Sequence, residues 1–421
     1  MLRLLQRMVA SPRLMRVVGA LSGSVNPWHP DVRRDPYPAY RRLGAEPRLP
    51  RLRLLGGYVA TRYPDVERVL RDPAFSTDRE SVPLMRRFRR AAGDAPELLD
   101  FLDHNLLMID GARHRRLRGL VSKAFTPRRV ERLRQRVEAL VDELLDRAAP
   151  RGEIELVGEL ARPLPARVIA ELLGVPAEGQ ALFRTASEEL IQLLDPLSGH
   201  DGLEPPKRAL RALDGCFREL LAERRHSPRD DLLSAMLAAE EEGETLTERE
   251  LVSLCALLLA AGHETTTNLI GNAVLLLLRH PEERKRLRED PALLPSAVEE
   301  CLRFEPPVQL TDRAVLEPVE LRGVRLRRGE IVVALLAQAN RDPERFCEPD
   351  RFDVARAENR HLSFGLGNHY CLGAALARVE TQAALGGLLR RFPDFQGPGE
   401  PPGWKASVVL RGPSALPLRL A

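Results

Sequence analysis

From about Arg113 to Phe304, apolar residues return every three or four positions, as in Val130 to Ala149, Pro165 to Leu173 and Lys207 to Arg225. This is the spacing of helices that bury one face. Strand-like stretches are few and short: Arg51 to Thr61, Val319 to Leu326, Ile331 to Ala334 and Val408 to Leu420. The pattern predicts a mainly α protein with small β-sheets. Its longest helix opens on Thr247-Glu248-Arg249-Glu250, a capping box, and runs to Arg279, where His280-Pro281 stops it. About 33 residues at 1.5 Å each make roughly 50 Å, enough to cross a whole domain. The apolar length Leu251 to Leu278 matches a membrane span, but Gly262 to Asn268 interrupts it with His263, Glu264 and three threonines. A carboxylate in hydrocarbon costs about 3 kcal/mol or more, so a buried central helix is expected instead.

No repeat and no Gly/Ser linker divides the 421 residues, which predicts one domain over residues 26–421 behind a basic segment, residues 1–25. That segment carries Arg3, Arg7, Arg13 and Arg16 with no acid before Asp31. Its apolar runs are too broken by arginine to span a bilayer, and a frayed or surface-packed terminus is expected, with peripheral membrane contact through residues 1–21 as the alternative. A net charge of +4 does not argue for nucleic-acid binding. The 5 cysteines, Cys216, Cys255, Cys301, Cys347 and Cys371, show no C-x-x-C spacing. Neither a disulfide framework nor a zinc cluster follows, and a reducing, cytoplasmic setting is expected.

Chemistry concentrates near the C-terminus, in Phe364-Gly365-Leu366-Gly367-Asn368-His369-Tyr370-Cys371-Leu372-Gly373. A cysteine between glycines, ahead of an apolar helical pattern, places its sulfur at a helix N-terminus. Unpaired amides and the helix dipole there favour a thiolate, a strong metal ligand. The glycines permit positive φ and the close approach of a flat partner, which a side chain at Gly367 or Gly373 would obstruct. The stretch resembles the haem-binding signature of the cytochrome P450 family, Phe-Gly-x-Gly-x-His-x-Cys-x-Gly.

The resemblance implies haem b as cofactor, Cys371 as the axial iron ligand, and Phe364, Gly365, Gly367 and Gly373 around it. It extends to Ala261-Gly262-His263-Glu264-Thr265-Thr266, which is similar to the segment over the distal face of the haem. Small residues at Ala261 and Gly262 leave room for a ligand. Thr265 can bond back to the chain and locally open the helix. Cleaving an O–O bond heterolytically takes two protons, so an acid beside a hydroxyl suits the task, with Glu264 supplying protons and Thr265 placing them. Glu300-Cys301-Leu302-Arg303 resembles the family's Glu-x-x-Arg, a structural pair whose spacing sets both side chains on one helical face. Haem propionates need cationic or donor partners; the resemblance implies His114 and Arg118, Arg313, and His361. His369, two residues before Cys371, is not expected to ligate iron. Ala339-Asn340-Arg341-Asp342-Pro343 and Pro349-Asp350-Arg351-Phe352-Asp353 add to the likeness, which runs from His114 to Gly373 and more loosely to Asp35-Pro36-Tyr37-Pro38 and Arg411-Gly412.

The chain has neither a Gly-x-Gly-x-x-Gly turn nor an iron–sulfur cysteine run, so electrons must come from another protein. Arg113, Arg115, Arg116 and Lys123 would suit an acidic ferredoxin or flavodoxin, itself served by an NAD(P)H reductase. The resemblance places substrate walls in Val82 to Met108, in Leu182 to Leu197, at Leu257 and Ala261, at Val308 and Gln309, and at Val408 and Val409. These imply an apolar substrate such as a fatty acid, terpenoid, steroid or macrolide. The expected activity is a haem-thiolate monooxygenase that inserts one oxygen atom of O2 into such a compound. A peroxide-driven peroxygenase would not need Glu264-Thr265, and a haem-binding sensor would carry an output domain, of which the sequence shows none.

Overall fold

Thr247 starts the helix on which the molecule is built. Its hydroxyl accepts from the Glu250 amide and the Glu250 carboxylate accepts from the Thr247 amide at 2.8 Å, which completes the expected capping box. The helix Glu248–Arg279 then runs for 32 residues and is buried along most of its length. Around it in this computed structural model pack the helices Pro96–His104, Pro163–Leu172, Gln180–Leu190, Glu204–His226, Leu294–Phe304 and Ala374–Arg391. Leu254, Cys255, Ile270 and Ala273 are fully shielded at the contacts. A helix packed by protein along most of its length has no need of lipid, and no helix among the described residues is long and apolar enough to cross a membrane. The structure describes residues 29–52, 57–82, 86, 89–90, 95–193, 203–241 and 243–420. The basic segment 1–25 and parts of two expected substrate walls, within 83–94 and 194–202, lie outside them.

Periodicity located the helices well. Val130 to Ala149 resolves into Pro127–Arg132 and Arg134–Ala148, with the chain turning at Leu133. Pro165 to Leu173 corresponds to Pro163–Leu172, and Lys207 to Arg225 to Glu204–His226.

The main sheet has five strands, β1 (Arg51–Leu52), β2 (Gly57–Ala60), β3 (Phe75–Ser76), β4 (Thr311–Val315) and β5 (Ile331–Ala334), in the order β1-β2-β5-β4-β3. β5 runs parallel to β2 and antiparallel to β4, pairing Val332 with Tyr58 on one side and with Arg313 on the other. The pattern missed β4 because its inward positions include a charged residue, Arg313, which is 5% exposed. Val319 to Leu326, expected as one strand-like stretch, is a hairpin of two short strands that turns through Arg322 and Gly323 at φ of 50° and 70°. Val408 to Leu420 is not a strand. Only Pro417–Arg419 pairs regularly, with Glu153–Glu155. Before it, Trp404 to Pro413 is an irregular hairpin, and Pro413 has no amide hydrogen with which to extend a ladder.

Candidate functional site

The cysteine loop is a chain of tight turns. Gly365 and Gly367 stand at φ of 70° and 73°, where other residues are strained. At Gly367 a β-carbon would also lie 3.2 Å from the Leu70 carbonyl oxygen. The Cys371 amide donates to the Phe364 carbonyl at 2.8 Å, closing the loop. Gly373 caps the helix Ala374–Arg391, and its amide bonds toward the Cys371 sulfur. A β-carbon at Gly373 would meet no protein atom within 4 Å. Cys371 is accessible, yet burial is the largest influence on its thiol. A side chain both accessible and surrounded by protein lies in a recess. Burial raises its pKa above that of an ordinary cysteine, against the Gly373 amide, Arg118 and Arg378. The Gly373 amide acts in the direction the sequence predicts, but burial outweighs it in the chain by itself. A metal ion bound there would supply what is missing, since a coordinating thiol is deprotonated outright.

The central helix is accessible in the middle, at Ala261, Gly262, Glu264 and Thr265, with buried turns on both sides. The Thr265 hydroxyl donates to the Ala261 carbonyl at 2.8 Å, as expected. The helix nevertheless stays continuous from Glu248 to Arg279, because the back-bond adds to the ladder without displacing it. Gly262 is not required by packing: a β-carbon there would make ordinary contact with Ile169 at 3.9 Å. His263 points away from this face, to the Ser187 hydroxyl at 3.0 Å and the Arg162 carbonyl at 3.1 Å, and burial lowers its pKa to about 4. Glu264 accepts from the Lys405 ammonium at 2.6 Å. On the other side of the helix Thr266 bonds Glu380, a buried carboxyl that desolvation pushes up to about 8. Neither Lys405 nor Glu380 stood out in the sequence, where one is a loop lysine and the other a polar residue in a helix.

The four residues expected to hold propionates come from three separate elements of the fold. His114 and Arg118 lie one helical turn apart on Gly111–Ala124. His114 is 2% exposed and its Nε2 atom has no partner. Arg118 donates to the Tyr370 carbonyl at 2.7 Å, tying this helix to the cysteine loop. Arg313 donates to the Thr311 hydroxyl at 3.2 Å and the Asp312 carbonyl at 2.8 Å, while the Asp312 carboxylate is taken by Arg79. Among the described residues no carboxylate pairs with Arg313, whose pKa burial lowers to about 10. The fourth, His361, has a neighbour at each ring nitrogen: its Nε2 lies 3.3 Å from Glu299, and its Nδ1 accepts from the Ser363 amide at 3.2 Å. His369 lies beside His114, with ring centroids 4.0 Å apart and Thr77 and Asp110 at 3.3 and 3.5 Å. An accessible thiol in a recess, open space beside Gly373, an orphaned histidine nitrogen and a buried guanidinium without a carboxylate fit an iron porphyrin with acidic side arms.

Glu300 and Arg303 are fully shielded and doubly bonded, at 2.7 and 2.8 Å. Arg303 also donates to the carbonyls of Asn340, Pro349 and Arg351, and Glu300 accepts from Arg356, Asn359 and the Asp353 amide. This network fixes the loop ahead of the cysteine stretch, as Asn340 does from the side by bonding the Leu362 amide and Ser363. Of the wall residues, Gln309 and Val409 meet through a 2.8 Å backbone bond beside Val308 and Val408. The Gln309 amide is spent on the Pro306 carbonyl at 2.7 Å, so only its oxygen is left. Leu257 and Ala261 share the central helix, and Met108 packs partly buried against the main core.

The family model described as Cytochrome P450 matches residues 86–403. The chain is 44% identical over 399 residues to Cytochrome P450 107B1 of Saccharopolyspora erythraea, covering 92% of this chain and 95% of the relative. It is 42% identical over 399 residues to Cytochrome P450 monooxygenase PikC of Streptomyces venezuelae, covering 92% of each. Among solved structures, P450BioI in complex with hexadec-9Z-enoic acid ligated acyl carrier protein superposes with a TM-score of 0.86 at 36% identity, covering 93% of this chain and 99% of that one.

Proposed function

Because this chain belongs to the cytochrome P450 family and is thereby a haem-dependent monooxygenase, we propose that its work is done through Cys371 as iron ligand, with Glu264 and Thr265 managing protons. Bound haem supplies the oxygen chemistry: two electrons and two protons are taken up, one atom of dioxygen enters the substrate and the other leaves as water. The carrying observation is the Cys371 sulfur, accessible inside a recess at the head of a helix. On binding iron it gives up its proton, and the Gly373 amide, Arg118 and Arg378 steady the charge. Arg313, His114, Arg118 and His361 are the residues that would hold the acidic arms, with His369 beside His114 as a further donor.

Thr265 keeps its hydroxyl in register through the Ala261 carbonyl while its oxygen remains able to accept a proton from a neighbour. Glu264, the next residue on the same accessible stretch of the central helix, is the acid that supports this reading. Leu257, Ala261, Val308, Val408 and Val409 offer an apolar surface with few polar anchors, which supports a fatty acid, terpenoid, steroid or macrolide-like substrate. Electrons come from a separate redox protein, and we read it as an acidic ferredoxin or flavodoxin docking near Arg113 and Arg115, both exposed. Arg116 is withdrawn from that face by Glu250 and Glu244.

The test is spectroscopic. Reduced, haem-loaded protein under carbon monoxide should show the strongly red-shifted Soret band of a thiolate ligand, and Cys371→Ser should abolish it. A native band in the variant would refute the assignment.

A further inference from the structure

Lys405 donates to Glu264 at 2.6 Å and to the Asn268 side-chain oxygen at 2.8 Å. Lys405 and Glu264 are each 17% exposed, so solvent screens this pair far less than one on the surface. Asn268 is itself immobile: it is 1% exposed, and a β-carbon on Gly412 would lie 2.3 Å from its oxygen. The lysine is therefore offered two acceptors one helical turn apart, both on the central helix.

Lys405 reaches them from the base of the Trp404 to Pro413 hairpin. That base is pinned by the Trp404–Pro413 bridge, by the Lys405 amide donating to the Gly412 carbonyl at 3.1 Å, and by Arg411 stacked 3.5 Å over the Trp404 ring. Arg411 is anchored in turn by Glu305 at 2.8 Å. The hairpin tip carries Val408 and Val409 to the substrate wall, where Gln309 donates to the Val409 carbonyl at 2.8 Å. Residues that would touch substrate and the residue that holds the acid thus ride on one hairpin. A cleft of about 30 Å³ bordered by Arg33, Tyr40, Gln309, Lys405 and Val408 lies alongside, with room for a water or two.

We propose that Lys405 is the positioning residue of the proton-supplying carboxylate: it restrains Glu264 against the hairpin, and Glu264 serves Thr265 when that restraint is released. The proposal rests on the reading of Glu264 and Thr265 given above. A lysine placed only to neutralise a buried charge would be replaceable by any local compensation; a restraint has to show itself in where Glu264 points and in how fast protons arrive.

The experiment uses the full haem-loaded chain with Lys405→Met, Lys405→Arg, Glu264→Gln and the double variant Lys405→Met/Glu264→Gln. Crystal structures read position. Glu264 should leave the hairpin and turn toward Thr265 in Lys405→Met and stay in place in Lys405→Arg; an unmoved carboxylate in Lys405→Met overturns the proposal. Protein reduced with dithionite and mixed with dioxygen in H2O and in D2O reads proton supply through the decay of the oxygenated spectrum. That decay should quicken about fivefold in Lys405→Met with a smaller solvent isotope effect, return to native in Lys405→Arg, and show no such gain in the Glu264→Gln background. A gain that persists without Glu264 overturns the proposal alone. Native decay and isotope effect in Glu264→Gln by itself would overturn the underlying reading of Glu264 instead.

Discussion

Glu380 sits on the helix behind the cysteine loop, 1% exposed, with Thr266 of the central helix as hydrogen-bond partner. Burial pushes its carboxyl up to about 8. The folded chain therefore holds a proton that the unfolded chain has lost above the ordinary carboxylate range, and stability falls as pH rises between about 4.5 and 8. Glu380→Gln removes that slope. Urea denaturation should show the variant gaining on the native chain, on the order of 3 kcal/mol, between pH 5 and pH 8; parallel pH profiles would refute the neutral carboxyl. Thr265→Ala acts on a neighbouring residue without touching the fold. It should leave the melting temperature within a degree or two while diverting electrons from product to peroxide on the order of tenfold, measured as peroxide formed per NAD(P)H. Single residues were also where the sequence was least reliable. His361 and His369 both lie near Cys371 in the chain, and only the folded loop shows that Glu299 claims one and His114 faces the other. Lys405 carries no local signal because its partner lies 141 positions away.

Helices in this protein are placed by packing more than by their own propensity, and the glycines show it. Gly387 lies where the helices Arg134–Ala148 and Ala374–Arg391 cross; a β-carbon there would stand 2.6 Å from the Val141 methyl. Gly215, on the exposed side of Glu204–His226, meets nothing within 4 Å. Gly387→Leu should therefore cost about 2 kcal/mol by overpacking, whereas Gly215→Ala should gain about 0.5–1 kcal/mol from helix propensity. Thermal melts of the two variants check both signs at once. Long helices were legible because a repeat near 3.6 is written many times over, and the capping box at Thr247 fixed the start of the longest one to the residue. Short strands were not. β3 has two residues and β4 hides Arg313 on its inward side, so neither contains enough alternation to register.

At the scale of the whole molecule, the proposed docking of an acidic electron donor rests on surface charge. Arg113 and Arg115 are exposed on the helix that carries His114 and Arg118. Arg113→Glu/Arg115→Glu should slow reduction by an acidic ferredoxin about tenfold at low ionic strength, and the difference should shrink as salt is raised. Reduction rates indifferent to both would place the docking face elsewhere. The family and the cofactor followed from sequence because each is carried by residues adjacent in the chain, whose spacing alone constrains backbone turns and helical faces. Assembly of the site did not. Burial raised the Cys371 thiol, Glu299 came within reach of His361, Glu250 and Glu244 drew Arg116 aside, and Lys405 took hold of Glu264. Each of these is decided by desolvation or by an ion pair between elements far apart in the chain, and such energies exist only once the tertiary fold has brought the partners together.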